Sequence, residues 1–283
     1  MKYTVLYNAK ANNGRGFEEA KAIEAVLLGN AIDYVDVFTI ENYDDYVTEK
    51  SKDSKVVICG GDGTIYYYIN HTSDITREID IDYWATGTGN DFLRDIGGEK
   101  GKVVENVNKY MKNLPTVTVK GETYRFINGV GYGIDGYCCE VGDIQRTKST
   151  KKVDYTGIAI KGILFHFRPR TATITIDGKT FEAKNSWLVP TMKGKYYGGG
   201  MMPCPIQDRN DPERKVSLMT YQTAVGLKAL IVFPNIFKGE HTKSKIVNVY
   251  SGHEIHVSFD KPCALQIDGD TISDVSEYTV KSF

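Results

Sequence analysis

Three times before residue 100, an apolar run of strand length ends in a turn rich in glycine or asparagine and gives way to a helical pattern. "KYTVLYNA" runs into "ANNGRG" and then "FEEAKAIEAVLLG"; "KVVIC" runs into "GGDGT" and "TIYYYINHT"; "IDYWATG" runs into "GTGNDF". Between the first two units stand a further strand, "IDYVDVFTI", and a polar helix, "NYDDYVTEKSK"; "VVENVNKYMKNL" reads as one more helix. Strands alternating with helices specify βαβ units, hence a parallel sheet with right-handed connections. This layer is expected over residues 1–115.

From Pro115 the texture changes to short alternating or apolar runs, among them "TVTVKG", "TATITIDG", "KVSLMTYQ", "EIHVSF" and "EYTVKSF". "IDGK" at 176–179 is a hairpin signature. The fold class is therefore α/β plus all-β, with an antiparallel β-sandwich over 116–271 interrupted by a helix in "YTGIAIKGILFHF". A chain of 283 residues supplies cores for two such domains. Its net charge of −1 gives no global basic field for nucleic acid. Five irregularly spaced cysteines, without a CxxC, argue for a reduced, cytoplasmic chain and against zinc. The start has no apolar signal core, and the longest apolar run, around "ALIVF", is far below the ~20 residues a spanning helix needs. Peripheral contact with the inner membrane face remains open.

The turns carry the chemistry. Glycines and asparagines in "NAKANNGRG" adopt positive φ readily, so that successive N–H groups can form an anion nest ahead of a helix dipole. In "GGDGT", Gly60, Gly61 and Gly63 permit close backbone approach, and Thr64 is expected to cap the next helix. Asp62 is the anomaly, because a carboxylate against phosphate is repelled by ~1 kcal/mol or more. It is explained by a Mg–nucleotide ligand, by a ribose or another donor, or by a plain turn role. "ATGTGNDFLRDIG" adds Gly87 and Gly89 with the polar tips Thr88, Asn90 and Asp91. Turns at the same ends of neighbouring parallel strands converge on one crevice. Neither GxxxxGK[ST] nor GxGxxG occurs, which disfavours an ordinary P-loop enzyme or NAD dehydrogenase.

"GGDGT" followed by "GTGNDF", with "INGVGYGIDG" at 127–136, "GGGMMPCP" at 198–205, "KGEH" at 238–241 and "LQIDGD" at 265–270, resembles the diacylglycerol kinase catalytic family, in particular its soluble bacterial lipid kinases. The resemblance spans nearly the whole chain. It implies an N-terminal nucleotide-binding domain completed by about residues 272–283, a C-terminal sandwich carrying catalytic and lipid-acceptor residues, and a site in the cleft between them. ATP as co-substrate and Mg²⁺ follow from it. So do nucleotide contacts from Asn8, Ala9, Lys10, Ala11, Asn12, Thr39, Gly61, Asp62, Gly63, Thr64 and Thr88. Asp208 and Asp211 match the family's magnesium-holding segment, and Asp211 also its catalytic acidic position. The family's general-base glutamate is replaced by Asp270, one methylene shorter, and Ile65, Tyr66 and Tyr67 stand where it has Leu-Asn-Glu.

The implied activity is transfer of phosphate from Mg-ATP to the hydroxyl of diacylglycerol or a similar lipid alcohol. A soluble alcohol acceptor, or a catalytically impaired nucleotide- or lipid-binding homologue, are the alternatives. "YYGGGMMPCP" and "YTGIAIKGILFHF" offer apolar surface for an acyl chain. The basic run "QRTKSTKK" at 145–152 offers a transient contact with a membrane surface. Homodimers are common in such a family.

Overall fold

The computed structural model describes residues 1–148 and 153–283. The chain divides into two units, Met1–Leu114 and Pro115–Phe283. Among the described residues, the first unit is built on four parallel strands: β1 (Lys2–Tyr7), β2 (Ala31–Asp36), β3 (Lys55–Gly60) and β4 (Ile81–Ala85), in the order β2-β1-β3-β4. β3 lies inside the sheet, so Val56, Val57, Ile58 and Cys59 are all buried, as expected of a parallel strand covered on both faces. Val5, Ala20, Ile23, Val57 and Trp84 share one core cluster. The helix Tyr43–Asp53 starts where the Asn42 side chain accepts the Asp45 N–H (3.1 Å), and it buries Tyr43 and Val47. The helix Asp62–His71 buries Ile65, Tyr66, Tyr68 and Ile69.

The helix expected from "VVENVNKYMKNL" is reduced to one tight turn, Val107–Tyr110. Asn106 and Asn113 on either side are left-handed, with φ of 54° and 51°. The Asp82 carboxylate takes the Asn106 N–H (3.1 Å), while Val104 and Tyr83 exchange backbone hydrogen bonds. Tertiary partners for the backbone override the helical periodicity here.

The second unit is an antiparallel sheet of ten strands among the described residues. They are β5 (Thr116–Val119), β6 (Glu122–Arg125), β7 (Gly129–Tyr132), β8 (Arg170–Ile176), β9 (Lys179–Leu188), β10 (Thr191–Met192), β11 (Val216–Gln222), β12 (Val247–Gly252), β13 (Glu254–Ile267) and β14 (Asp270–Lys281). β13 closes the sheet on itself. Its first half, Ile255–Phe259, pairs with β8; its second, Leu265–Ile267, pairs with β7; irregularities between Ser258 and Leu265 bend it between the two. The expected hairpin at 176–179 is present, with Asp177 (φ 47°) and Gly178 (φ 80°) joining β8 to β9.

Residues 272–283 do not complete the first unit, contrary to the sequence expectation. β14 pairs with β13 and, through Thr279–Lys281, with β5. The two-residue turn Asp268–Gly269, with φ of 47° and 101°, folds β14 directly back along β13 and leaves no length to depart from the sheet.

The helix Ile134–Lys148 packs against β13 and β14. The helix expected in "YTGIAIKGILFHF" begins at Tyr155, where Asp154 accepts the Gly157 N–H (2.9 Å), runs to Lys161 and ends in a wider turn, Gly162–His166. Of the basic run 145–152, residues 149–152 lie outside the described residues. No helix among the described residues is long and apolar enough to cross a membrane.

Candidate functional site

In the first unit the turns after β1, β3 and β4 stand at the C-terminal ends of the parallel strands; hydrogen bonds tie the turn after β1 to the end of β2, and the turn after β3 to the turn after β4. With strand order 2-1-3-4, the connections leave in opposite directions from β1 and β3, which is where open α/β sheets form their ligand crevice. The turn after β1 carries three consecutive positive φ values, at Asn12 (48°), Asn13 (60°) and Gly14 (85°). Asn8 organises it: its side chain accepts the Lys10 N–H (2.9 Å) and its carbonyl the Ala11 N–H (3.0 Å). Asp36, at the end of β2, accepts N–H groups from Ala9 (3.2 Å) and Phe38 (3.3 Å), and the Asn12 amide meets Glu19.

Asp62 has a structural answer. Its two carboxylate oxygens accept the N–H groups of Asp91 (3.0 Å) and Phe92 (2.8 Å), which open the short helix Asp91–Asp95. The residue that looked misplaced in a phosphate turn therefore bridges the second glycine turn to the third. Its negative charge is held by amides, so no cation is required to explain it. The two turns also touch directly: a Cβ on Gly61 would lie 3.0 Å from the Gly87 Cα, so a side chain there would push the turns apart. The Thr86 N–H and the Tyr83 hydroxyl both donate to the Gly60 carbonyl, at 3.0 and 3.1 Å.

The nucleotide-binding candidates fall into two groups. Asn8, Ala9, Lys10, Ala11 and Asn12 line the first turn, and Gly61, Asp62 and Gly63 the start of the helix Asp62–His71. Thr88 is exposed in the third turn. Thr64 was expected to cap that helix, but it is buried within its first turn, with its side chain against Gly60; the cap position belongs to Gly61. Thr39 is exposed, and its hydroxyl donates to the Asp36 carbonyl (2.8 Å). Tyr67, in place of the family's acidic residue, stacks on His71 (ring centroids 3.8 Å) and meets Phe38 edge-on (5.0 Å). Lys10 lies over the other partner of that contact, 4.3 Å from the Phe38 ring.

The second unit gathers carboxylates where the helix Ile134–Lys148 meets the β13–β14 hairpin. Asp268 is buried and accepts three successive N–H groups, from Ile127 (2.6 Å), Asn128 (2.8 Å) and Gly129 (2.9 Å). It anchors the turn that presents Asp270. Asp270 is solvent-accessible, yet desolvation by the surrounding chain raises its pKa above the ordinary value; the charge of Asp143 adds to this and Arg146 opposes it. Asp143 in turn accepts the Thr271 hydroxyl (2.7 Å) and pairs with Arg146 (2.7 Å). About two turns back along the same helix, Asp135 takes a hydrogen bond from Gln266 Nε2 (3.1 Å). Its carboxylate lies directly over Gly131, where any side chain would collide with it. Burial pushes the Asp135 pKa up to about 6, while Gln266 and Tyr197 act in the opposite direction. Sequence reasoning assigned no role to Asp135 or Asp143. The only available sign was the Asp-Gly pair in "GYGIDG", which resembles an ordinary turn.

Asp208 and Asp211, the expected magnesium-holding pair, accept backbone N–H groups of their own turn. Asp211 accepts the N–H groups of Glu213 and Lys215 (both 3.1 Å) on its two oxygens, and Asp208 that of Asn210 (2.8 Å). Both carboxylates fold their own turn. The described residues contain no group of three His, Cys, Asp or Glu side chains that could hold a metal.

Comparison with known proteins returns two family matches. Residues 2–120 match the diacylglycerol kinase catalytic domain, and residues 128–280 match the YegS C-terminal NAD kinase beta sandwich-like domain. A Bacillus subtilis (strain 168) protein named "Putative lipid kinase YtlR" is 21% identical over 236 residues, covering 78% of this chain and 75% of that protein. A diacylglycerol kinase of Mycobacterium tuberculosis (strain ATCC 25618 / H37Rv) is 24% identical over 287 residues, covering 90% and 84%. The solved structure titled "A putative diacylglycerol kinase from Bacillus anthracis str. Sterne" superposes with a TM-score of 0.65 at 20% identity, covering 100% of this chain and 94% of that one, a likeness of fold.

Proposed function

Because the chain belongs to the family that joins a diacylglycerol kinase catalytic domain to a YegS-type sandwich domain, we propose that it transfers the γ-phosphoryl group of Mg-ATP to the hydroxyl of diacylglycerol or a similar lipid alcohol. The observation that carries this reading is the Asp62 bridge. It holds the GGDGT and GTGNDF turns together at the end of the parallel sheet, where open α/β sheets take their ligands. Phosphoryl transfer asks mainly for alignment and charge neutralisation, and glycine turns at helix starts provide both for a triphosphate. Mg²⁺ enters with the nucleotide as part of the substrate.

Asp270 is the general base of this proposal. Its raised pKa makes the carboxylate a better proton acceptor, and Asp268 fixes the turn that carries it. Asp135, with a pKa near 6, is the other carboxylate suited to proton handling, and Asn8 to Asn12 form the phosphate-facing first turn. A cytoplasmic enzyme working at the inner membrane face suits a lipid acceptor.

The test is transfer of label from ATP across a panel of lipid and soluble alcohols, with Asp270→Ala and Asp62→Ala as controls. Label on diacylglycerol that disappears in the Asp270→Ala protein is the expected result. Label on soluble alcohols alone would overturn the lipid assignment. Nucleotide binding without transfer to any acceptor would identify an impaired homologue.

A further inference from the structure

The second unit holds a buried cation outside the carboxylate cluster. Lys193 follows β10 and is 6% exposed. Its backbone is committed: the Lys193 and Gly194 N–H groups both donate to the Asn128 carbonyl (2.9 Å each), and the Lys193 carbonyl accepts Gln207 Nε2 (3.3 Å). Its ammonium has neither a hydrogen bond nor an ion pair among the described residues. Taking an ammonium out of water is costly unless an anion meets it.

The charges around it do not supply that anion at contact. Arg209 is as deeply buried and shares Asn128 with Lys193, donating to the Asn128 Oδ1 (3.1 Å) and the Ile127 carbonyl (2.6 Å). Burial first, then the Arg209 charge, lower the Lys193 pKa; Asp211 and Asp208 act the other way. Those two carboxylates already hold N–H groups of their own turn. The ammonium is also close to the Asp268–Asp270 turn. Met192 pairs with Gly129 on β7, and the other edge of β7 pairs with β13. Asn128 accepts the Lys193 N–H and donates its own N–H to Asp268. Lys193 and the turn that carries Asp270 therefore flank one end of β7, two strand spacings or about 10 Å apart.

We propose that the Lys193 ammonium is a phosphate contact of the second unit, binding the phosphate monoester dianion that the reaction makes on the acceptor hydroxyl. The source of that phosphate rests on the phosphotransferase reading; the anion site does not. In the transfer, the acceptor oxygen bonds to the γ-phosphorus as the bond from that phosphorus to the bridging oxygen breaks, ADP leaves with the electron pair, and the hydroxyl proton passes to Asp270. Lys193 forms no bond. It offsets charge on the phosphoryl oxygens, and a compact ammonium on a flexible stem can follow the group as it moves.

The experiment is calorimetric binding and thermal unfolding of the full chain, without nucleotide, with inorganic phosphate and with dihexanoyl phosphatidic acid kept below its micelle concentration. Wild type is expected to bind both, and Lys193→Met to bind each roughly tenfold or more weakly. Without ligand, Lys193→Met should melt at or above the wild-type temperature, because it removes an enclosed charge that nothing meets. The proposal is overturned if wild type binds neither ligand or if Lys193→Met binds both like wild type. It is equally overturned if Lys193→Met melts lower, which would make Lys193 a structural partner of Asp208 and Asp211. Binding of inorganic phosphate alone would assign the site to free phosphate and overturn its assignment to the product. In the labelled-ATP assay, Lys193→Met should lower kcat roughly a hundredfold with little change in KM for the lipid alcohol, and an unchanged kcat counts against the proposal. Wild type that binds phosphate but transfers none would fail the phosphotransferase reading and leave the anion site standing.

Discussion

Replacing Asp62 by alanine tests whether this carboxylate holds the protein or the ligand. The two N–H groups it accepts belong to Asp91 and Phe92, which are 4% and 0% exposed. Water has little access to them, so removing the acceptor orphans two buried donors. Hydrogen bonds to a charged group contribute about 1.5–3 kcal/mol each, and partial rehydration recovers some of that, leaving a net loss of about 3 kcal/mol. At about 2.1 cal/mol/K per residue, a unit spanning Met1–Leu114 unfolds with an entropy near 0.24 kcal/mol/K. The first unit should therefore melt roughly 12 °C lower. Asp62→Asn keeps one oxygen but loses the charge and points an amide N–H at a donor, so it should fall between the two. The assay is thermal unfolding by circular dichroism without nucleotide and with EDTA, so that no ligand or cation contributes. A protein that melts within about 2 °C of wild type but has lost its affinity for Mg-ATP would refute the reasoning. It would return Asp62 to the metal–phosphate role.

Three further outcomes follow from the second unit. Asp270→Asn should abolish turnover without lowering the melting temperature. In wild type, activity should rise with pH through a pKa above the ordinary carboxylate value, and Asp143→Asn should move that inflection to lower pH, because the Asp143 charge raises the Asp270 pKa; an unmoved inflection in the pH–rate profile counts against Asp270 as base. Asp268→Ala orphans three buried N–H groups and should cost about 4 kcal/mol or more, read as loss of soluble protein or a large fall in urea midpoint, whereas an unchanged midpoint would show that the hairpin holds itself. Asp135 binds a proton more tightly when folded, with a pKa of about 6 against 3.8, so its burial costs stability at neutral pH, and that cost disappears as pH falls below about 4; Asp135→Asn should be more stable than wild type by about 2 kcal/mol at pH 8 and equal to it at pH 3.5, and urea titrations at both values decide it.

The parallel sheet was legible because β3 is a continuous apolar run ended by glycine, and strand-length runs before it and after it also give way to glycine- or asparagine-rich turns. The hairpin at Asp177–Gly178 was legible for a similar reason, since Asp-Gly accepts two left-handed residues cheaply. The fate of residues 103–114 was not, because the Asp82 carboxylate that captures the Asn106 N–H lies 24 residues away in sequence. Thr64 misled for a local reason: capping chemistry looks the same at the cap and three residues into the helix. Asp135 and Asp143 were hidden because periodicity reports which helix face is apolar. It does not report which polar residues the facing hairpin will desolvate.

The aspartates sort by what their oxygens already hold. Asp36, Asp62, Asp177, Asp211 and Asp268 each accept at least two backbone N–H groups, and all stand in or beside turns. A carboxylate in that position satisfies amides that a loop would otherwise leave bare. Their oxygens are committed to the backbone, however prominent their motifs. Asp135 and Asp270 differ. Their pKa values are raised by desolvation, at Asp270 together with the charge of Asp143, and no backbone amide opposes it, so the charged form is held less firmly. The motif "IDGD" contains both kinds two residues apart: Asp268 is fixed by three amides, and Asp270 is carried into place by that fixation. If Asp270 is the base proposed above, the turn fixed by Asp268 is what positions its short side chain.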